Sequence, residues 1–468
     1  MVHVQSQQRY IMRQSMEHAG CRTVRHTMKR LLMDMFVPAE QENKNIPKFG
    51  TQKRITKRGS FFIRNFNKLE GVYIPAQSKD DIAIVGINAK RPITRQRFTA
   101  AHELCHHFRD ADKQVACPMG QKNASEYFAD AFASAILMPM GELKTKVNEY
   151  KDVNGNVSFD NILKIADYFG VSFESCLRRI AYKIHAVEGD IETKELRKRI
   201  RKYHPDNKRQ VLGMSHENLY SDLIDNYVEQ LRFTPNRFAK YVFENNYIYN
   251  DSRMEGLEVS LEEASEIVTD LRNNMQNSKY CAEENEAYLS VAGHYLMYQN
   301  IFELPVKDTL NVYDLFKLNK DLFAYYPHPE FGGNARQNNV VISGAKFETV
   351  DYHNIFVELN KVNSDIKFFF DTRKNIKISD YIKHVVKIHH RITVIHPFSE
   401  GNGRTARAFM NVQLVRAGLT PFYIKVEEKK GYIAALEKAD TEKNYADLYE
   451  CIFKVIIRSH VELSKNPL

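Results

Sequence analysis

Hydrophobic and polar positions change period several times along the chain. Between residues 60 and 90 the stretches FFIRNF, GVYIP and DIAIVGINA set β-branched and aromatic residues between turn formers, which predicts short strands. From Thr94 the spacing becomes helical through FTAAHELCHHF. A second apolar helix is predicted from Glu126 to Leu137 and stops at Met138-Pro139, because proline disfavours helix in the residue before it. The run VSFDNILKIADYFGVSFESCLRRIAYKI reads as two short amphipathic helices joined at Gly170, expected to pack on the domain upstream. The chain is helix-rich again from about Ser215. Within that part, Phe331–Gly344 (FGGNARQNNVVISG) offers the Gly and Asn residues of a β-hairpin turn.

A chain of 468 residues is long enough for two or three domains, and 43% hydrophobic with 27% charged residues excludes wholesale disorder. No stretch approaches the roughly 18 apolar residues of a membrane span. The first twenty residues hold Arg9, Arg13 and Glu17 where a signal peptide needs an apolar run, so a cytoplasmic location without membrane partners is expected. The net charge of +9 is concentrated: residues 1–30 hold six basic groups and one acid, and residues 194–209 hold eight and two. This predicts a basic extension and a basic connector rather than a nucleic-acid-binding face, so direct nucleic-acid contact is not expected. Six cysteines without a C-x-x-C pair point to reduced thiols.

The first candidate site is His102-Glu103-Leu104-Cys105-His106, an H-E-x-x-H pattern on a predicted helix. Residues four apart share a helix face, so His102 and His106 can converge on one zinc ion, while Glu103 lies on a neighbouring face as base for a metal-bound water. Glu126, opening the next helix, is the candidate third ligand, and Asp130, one turn on, is the fallback or an outer partner. His107 is expected at the surface and Cys105 in packing. RQRFTAAHELCHHF followed by ExxADxFAxxxLMP resembles the ImmA/IrrE family of zinc metallopeptidases over roughly residues 50–185. The resemblance implies zinc on His102, His106 and Glu126 with Glu103 as base, and a helix-turn-helix repressor as substrate.

The second candidate site is His396–Arg407, HPFSEGNGRTAR, ahead of an apolar helix. Gly401 and Gly403 leave backbone N–H groups open at a helix start, where the dipole favours an anion. Arg404 and Arg407 add charge-assisted contacts, Glu400 is an oxygen ligand suited to Mg²⁺, His396 is a candidate base, and Asn402 fixes the loop or donates to phosphate. This run resembles the H-P-F-x-[D/E]-G-N-G-R-x-x-R signature of Fic domains, over roughly residues 215–460. The resemblance implies transfer of AMP from ATP to a Ser, Thr or Tyr hydroxyl of a target protein. It makes His396 the base, Glu400 the Mg²⁺ ligand, Gly401, Asn402, Gly403 and Arg404 phosphate binders, and Arg407 the γ-phosphate contact, with residues 332–346 as the target-aligning flap.

Upstream, Asp251-Ser252-Arg253-Met254-Glu255-Gly256 resembles the inhibitory helix of Fic proteins, [S/T]-x-x-x-E-[G/N], with Asp251 in place of the hydroxyl residue. A Glu255 carboxylate on Arg407 would occupy the cation that receives the γ-phosphate. In some members the same glutamate supports removal of AMP.

The expected fold is an α+β zincin-like domain followed by a mainly α-helical Fic domain with a β-hairpin flap. The expected boundaries are a basic extension at 1–49, a metallopeptidase domain at 50–188, a basic linker at 189–214 and a Fic domain at 215–468 with its inhibitory helix near 250–265. The expected function is Fic-type AMP transfer restrained by Glu255, fused to a zinc peptidase acting on a regulatory protein or on the chain's own linker. Two alternatives stand beside it: a zinc-bound sensor without proteolysis, and a DNA-linked regulator using the 155–185 helices.

Overall fold

The computed structural model of the protein describes residues 59–76, 83–110, 115–118, 124–226, 231–233, 236–273, 285–306, 309–329, 332–342 and 346–463. The basic extension expected at 1–49 lies outside them. The chain forms two compact units, Met1–His216 and Glu217–Leu468. No helix among the described residues is long and apolar enough to cross a membrane.

In the first unit β1 (Gly59–Arg64), β2 (Leu69–Ile74), β3 (Ala83–Asn88) and β4 (Val115–Pro118) form one sheet in the order β1-β3-β2-β4. β1 runs parallel to β3, and β2 is antiparallel to β3 and to β4. The three strands expected before residue 90 are present. β4 has no counterpart in the sequence reading, because four residues carry too little alternation to announce a strand. Asn88, almost fully buried, closes the β1–β2 turn by donating to the carbonyls of Phe66 at 3.0 Å and Leu69 at 2.8 Å.

Helix α1 (Ile93–Arg109) packs on β2 and β3, and α2 (Ala124–Leu137) packs on α1. After α3 (Met140–Tyr150) come α4 (Phe159–Phe169) and α5 (Phe173–Lys183), the pair expected around Gly170. Ser158 and Ser172 cap their N-termini, and Gly170 takes the left-handed conformation at φ 61° that ends α4. Arg97 of α1 donates to the Phe169 carbonyl at 3.0 Å, and Arg179 of α5 donates to the Met138 carbonyl at 3.0 Å. Their apolar faces, including Ile162, Phe169, Leu177 and Ile180, lie in the unit's core, so this pair packs within its domain as expected.

The basic segment expected as a linker is helical, α6 (Thr193–Tyr203) and α7 (Pro205–Val211). Its spaced apolar residues decide this. Leu196 is fully buried, Ile200 and Tyr203 pack against the same core, and Tyr203 stacks on Phe173 with centroids 5.0 Å apart. The Tyr203 hydroxyl donates to Asp160 at 2.8 Å, and Arg209 pairs with Asp167 at 2.8 Å. Protease nicking favours exposed loop tips, and a helix held at Leu196, Ile200 and Tyr203 is not one.

The second unit is helical throughout its regular elements: α8 (Glu217–Asn226), α9 (Arg237–Met254), α10 (Leu261–Arg272), α11 (Glu286–Glu303), α12 (Asp314–Leu322), α13 (Ile355–Thr372), α14 (Ile378–Ile395), α15 (Asn402–Arg416), α16 (Lys429–Glu442) and α17 (Ala446–Leu463). α15 is buried along nearly its whole length, surrounded by α11, α12 and α14. The segment read as one inhibitory helix near 250–265 is the end of α9, a turn at Gly256 (φ 87°) and the start of α10, which Ser260 opens with a capping box to Glu263. Among the described residues of 332–346 there is no strand pairing. Arg336 donates to the carbonyls of Asn338 and His396 at 2.7 Å each and to that of Val350.

The approach of α11 to α12 depends on Gly293, where an added Cβ would stand 1.9 Å from the Leu322 carbonyl oxygen. Gly293→Ala is expected to separate the two helices and to cost about 1–3 kcal/mol, read as a lowered melting temperature of the full chain.

Candidate functional site

In the first unit, α1 turns His102 and His106 to the same side, and the first turn of α2 brings Glu126 to them. His102 Nε2 stands 3.2 Å from His106 Nε2 and 3.1 Å from Glu126 Oε2, and His106 Nε2 stands 3.5 Å from Glu126 Oε1. Ligands about 2.0–2.1 Å from a tetrahedral zinc lie about 3.3–3.4 Å from each other, so two imidazole nitrogens at 3.2 Å with a Glu126 oxygen close to each suit one face of such a tetrahedron. The outward ring nitrogens are held by carboxylates: His102 Nδ1 by Asp130 at 3.0 Å and His106 Nδ1 by Asp110 at 2.8 Å. Such contacts fix each ring and keep Nε2 directed inward. Burial alone would lower the pKa of His102, but the Asp130 hydrogen bond and the charges of Glu103, Asp130 and Glu126 outweigh it and hold the imidazole above its ordinary value.

Glu103 is fully buried, its carboxylate directed at β2, where a Cβ at Gly71 would lie 2.4 Å from Glu103 Oε1. Gly71 therefore makes the room that the carboxylate fills. His107, expected at the surface, is half-buried with its Nδ1 3.2 Å from the hydroxyl of buried Tyr73, because the helix end lies against the sheet. Cys105 is packed in the core and its thiol is pushed up to about 12 by burial, as a packing residue should be.

In the second unit the loop between α14 and α15 carries the other constellation. His396 ends α14 at φ 51°, its Nδ1 3.4 Å from the Thr393 carbonyl, and burial with the nearby Arg336 charge lowers its pKa, leaving a neutral ring. Asn402 does not offer its side chain outward. Its Oδ1 accepts from Phe398 N at 3.0 Å and its Nδ2 donates to Phe398 O at 2.7 Å, which closes the loop. Gly401, at φ 76°, leaves no space for a Cβ, which would meet Leu322 at 2.8 Å and Phe323 at 2.9 Å. Fully buried Asn319 joins the pieces: it donates to Glu400 O at 3.0 Å and Thr405 Oγ1 at 3.2 Å, and accepts from Gly333 N at 2.9 Å. The Glu400 side chain is exposed.

Arg404 is buried and donates to Ser290 Oγ at 2.7 Å. Arg407 is buried more deeply and meets two acids from the end of α9: its Nε donates to Asp251 and its Nη2 to Glu255 at 2.6 Å. The Tyr432 hydroxyl is a third partner. It lies 2.6 Å from His389 Nε2, whose pKa burial and the Arg407 charge lower to about 3. Glu255 sits at the C-cap of α9, beside Gly403 in the first turn of α15.

Sequence reasoning named the residues of both clusters but missed several that hold them. Asp110 carried a signal, standing four residues after His106. Gly71, Asn319 and Arg336 carried none, since their partners are distant in sequence. Asp251 was noticed only as a departure from a motif.

A family profile for the IrrE N-terminal-like domain of peptidase family M78 matches residues 64–181, and one for the Fic/DOC family matches residues 309–414. Protein adenylyltransferase Fic of Nematostella vectensis is 26% identical over 145 residues, 31% of this chain and 32% of that protein. Protein adenylyltransferase fic-1 of Caenorhabditis elegans is 27% identical over 200 residues, 42% of this chain and 36% of that protein. The chain thus spans about a third of the length of these curated relatives. The solved structure of Fic-1 from C. elegans aligns with a TM-score of 0.44 at 16% identity, covering 78% of this chain and 97% of that chain. From its N-terminus onward, then, the chain joins an IrrE-like peptidase M78 domain at residues 64–181 to a Fic domain at residues 309–414.

Proposed function

We propose that the second unit transfers AMP from ATP to a hydroxyl side chain of a target protein, and that Glu255 restrains this transfer. The observation that carries the reading is the Glu255 carboxylate on Arg407 Nη2, beside Gly403 in the first turn of α15. An anion is already seated where a helix N-terminus and an arginine would receive a phosphate. When Glu255 withdraws, a triphosphate takes that place, with Arg404 and the backbone N–H groups of Gly401–Gly403 beside it. Mg²⁺, held by Glu400, would neutralise phosphate charge. His396, neutral at pH 7, takes the proton of the target hydroxyl as its oxygen bonds to the α-phosphorus. The bond to the bridging oxygen breaks, and pyrophosphate leaves. Removal of AMP from the target by the same glutamate belongs to the same reading.

For the first unit the proposal is a zinc metallopeptidase acting on a regulatory protein such as a helix-turn-helix repressor. His102, His106 and Glu126 would hold the ion, leaving a fourth position open. Zinc there would supply a Lewis acid and an acidified water. Glu103, next in sequence to a ligand and kept in place by the space at Gly71, is suited to accept that water's proton.

Full-length protein incubated with Mg²⁺ and α-labelled ATP in a lysate should label a target weakly, with Glu255→Gly raising the label and His396→Ala lowering it by about 10²–10⁴-fold, the scale of a lost general base. Equal labelling by wild type and Glu255→Gly would remove the restraint. Because the folded-state pKa of His396 lies below its ordinary 6.5, the base form persists on acidification. The rate of Glu255→Gly should therefore be flat from neutral pH downward and fall only below that value. For the first unit, metal analysis should find zinc in wild type and Glu103→Gln and lose it in His106→Ala and Glu126→Ala. Repressor cleavage by wild type but not by Glu103→Gln would support the peptidase, and zinc without cleavage would leave a zinc-bound sensor.

A further inference from the structure

One turn before Glu255, α9 carries a second acid on the same arginine. One Asp251 oxygen accepts from Arg407 Nε, and the other accepts from His294 Nε2 at 2.9 Å. His294 Nδ1 lies 3.0 Å from Ser252 Oγ, which donates to it. Asp251 is 4% exposed, and Ser252 and His294 are completely buried. The order serine–histidine–aspartate is that of a nucleophile relay, but no substrate can reach a hydroxyl sealed this way. What the relay does is fix the aspartate.

The two acids on Arg407 therefore differ in kind. The Glu255 side chain keeps 33% of its surface open and ends a helix, so it can swing away. Asp251 sits inside the last turn of α9, enclosed and bonded at both oxygens. Burial alone would raise its pKa, but the Arg407 charge and the His294 hydrogen bond outweigh that and keep it ionised. With both acids in place, Arg404 and Arg407 are balanced charge for charge. Without Glu255, one positive charge is exposed to an incoming anion rather than two.

Resting on the nucleotide reading above, we propose that Asp251 is a second, non-exchangeable restraint on this anion site: it keeps Arg407 paired after Glu255 withdraws, so that the third phosphate meets a guanidinium already partly neutralised. Asp251→Asn isolates this effect. The amide oxygen still accepts from Arg407 Nε, and its NH₂ donates to His294 Nε2. His294 moves its proton to Nδ1 and donates to Ser252 Oγ, so only the charge is lost.

The test is calorimetric binding of AMP-PNP and of ADP, with Mg²⁺, to the full chain. Glu255→Gly/Asp251→Asn should bind AMP-PNP about tenfold more tightly than Glu255→Gly, the scale on which adjacent charges couple. ADP, which lacks the third phosphate, should bind the two alike. Asp251→Asn alone should gain less, because Glu255 also profits from the freed charge. Equal or weaker AMP-PNP binding by the double variant would overturn the proposal, as would an equal gain for ADP. Asp251→Ser, the residue type of the Fic motif, is the second variant, with the same expectation. If neither substitution folds, Asp251 belongs to the fold and the proposal fails. Failure of Glu255→Gly itself to bind AMP-PNP would take down the nucleotide reading, and this inference with it.

Discussion

A guanidinium withdrawn from water must carry its counter-charges with it, since breaking a buried ion pair by removing one partner costs several kcal/mol. Arg407 is 5% exposed, and the second unit is arranged around satisfying it. α9 ends at it, α15 begins just before it, and α16 offers Tyr432, whose hydroxyl lies 2.6 Å from His389 of α14. The arrangement also resolves a conflict at α9. A carboxylate at a helix C-terminus opposes the helix dipole, so Glu255 is unfavourably placed with respect to its own helix. It gains from standing at the opposite end of another: Gly403 lies in the first turn of α15, and Arg407 follows one turn later. An anion position framed in this way stabilises whichever carboxylate or phosphate occupies it.

The first unit meets a related problem with different means. Two imidazoles four residues apart on one buried helix face would crowd two charges if both were protonated. Three carboxylates surround them: Asp110 and Asp130 on the outer nitrogens, and Glu126 between the inner ones. The outer pair sets ring orientation, which frees both Nε2 atoms for one shared partner. The same carboxylates that favour a proton on His102 also favour a divalent cation, because both are positive charge in the same place.

The helical spacing of His102 and His106, the stop at Pro139, the turn at Gly170 and the loop from His396 to Arg407 were legible because each is local. Periodicity and capping act within a few residues, and those elements stand where the sequence puts them. Charge density misled at residues 194–209, where a high count of Lys and Arg hid the spaced positions of Leu196, Ile200 and Tyr203 that bury one face of α6. At the flap the described residues show no strand pairing, and Arg336 bonds the carbonyls of Asn338, His396 and Val350. The residues that no local pattern disclosed, Gly71, Asn319 and Arg336, act on partners that the fold alone brings near.

Asp251 lies between these cases and shows what a motif does and does not encode. Read as letters, an aspartate where the Fic motif has a hydroxyl residue is a defect in a helix signature. Read as chemistry, the position faces the end of Arg407, and an ionised oxygen there is worth more than a hydroxyl if the site can keep it desolvated. The supply of partners decides this: without His294, the second oxygen of Asp251 would be buried with its hydrogen-bonding capacity unmet. With His294 and Ser252 in place, the departure is a fully bonded carboxylate. The aspartate at 251 and the histidine at 294 are therefore one feature, joined across 43 residues of sequence by a single hydrogen bond.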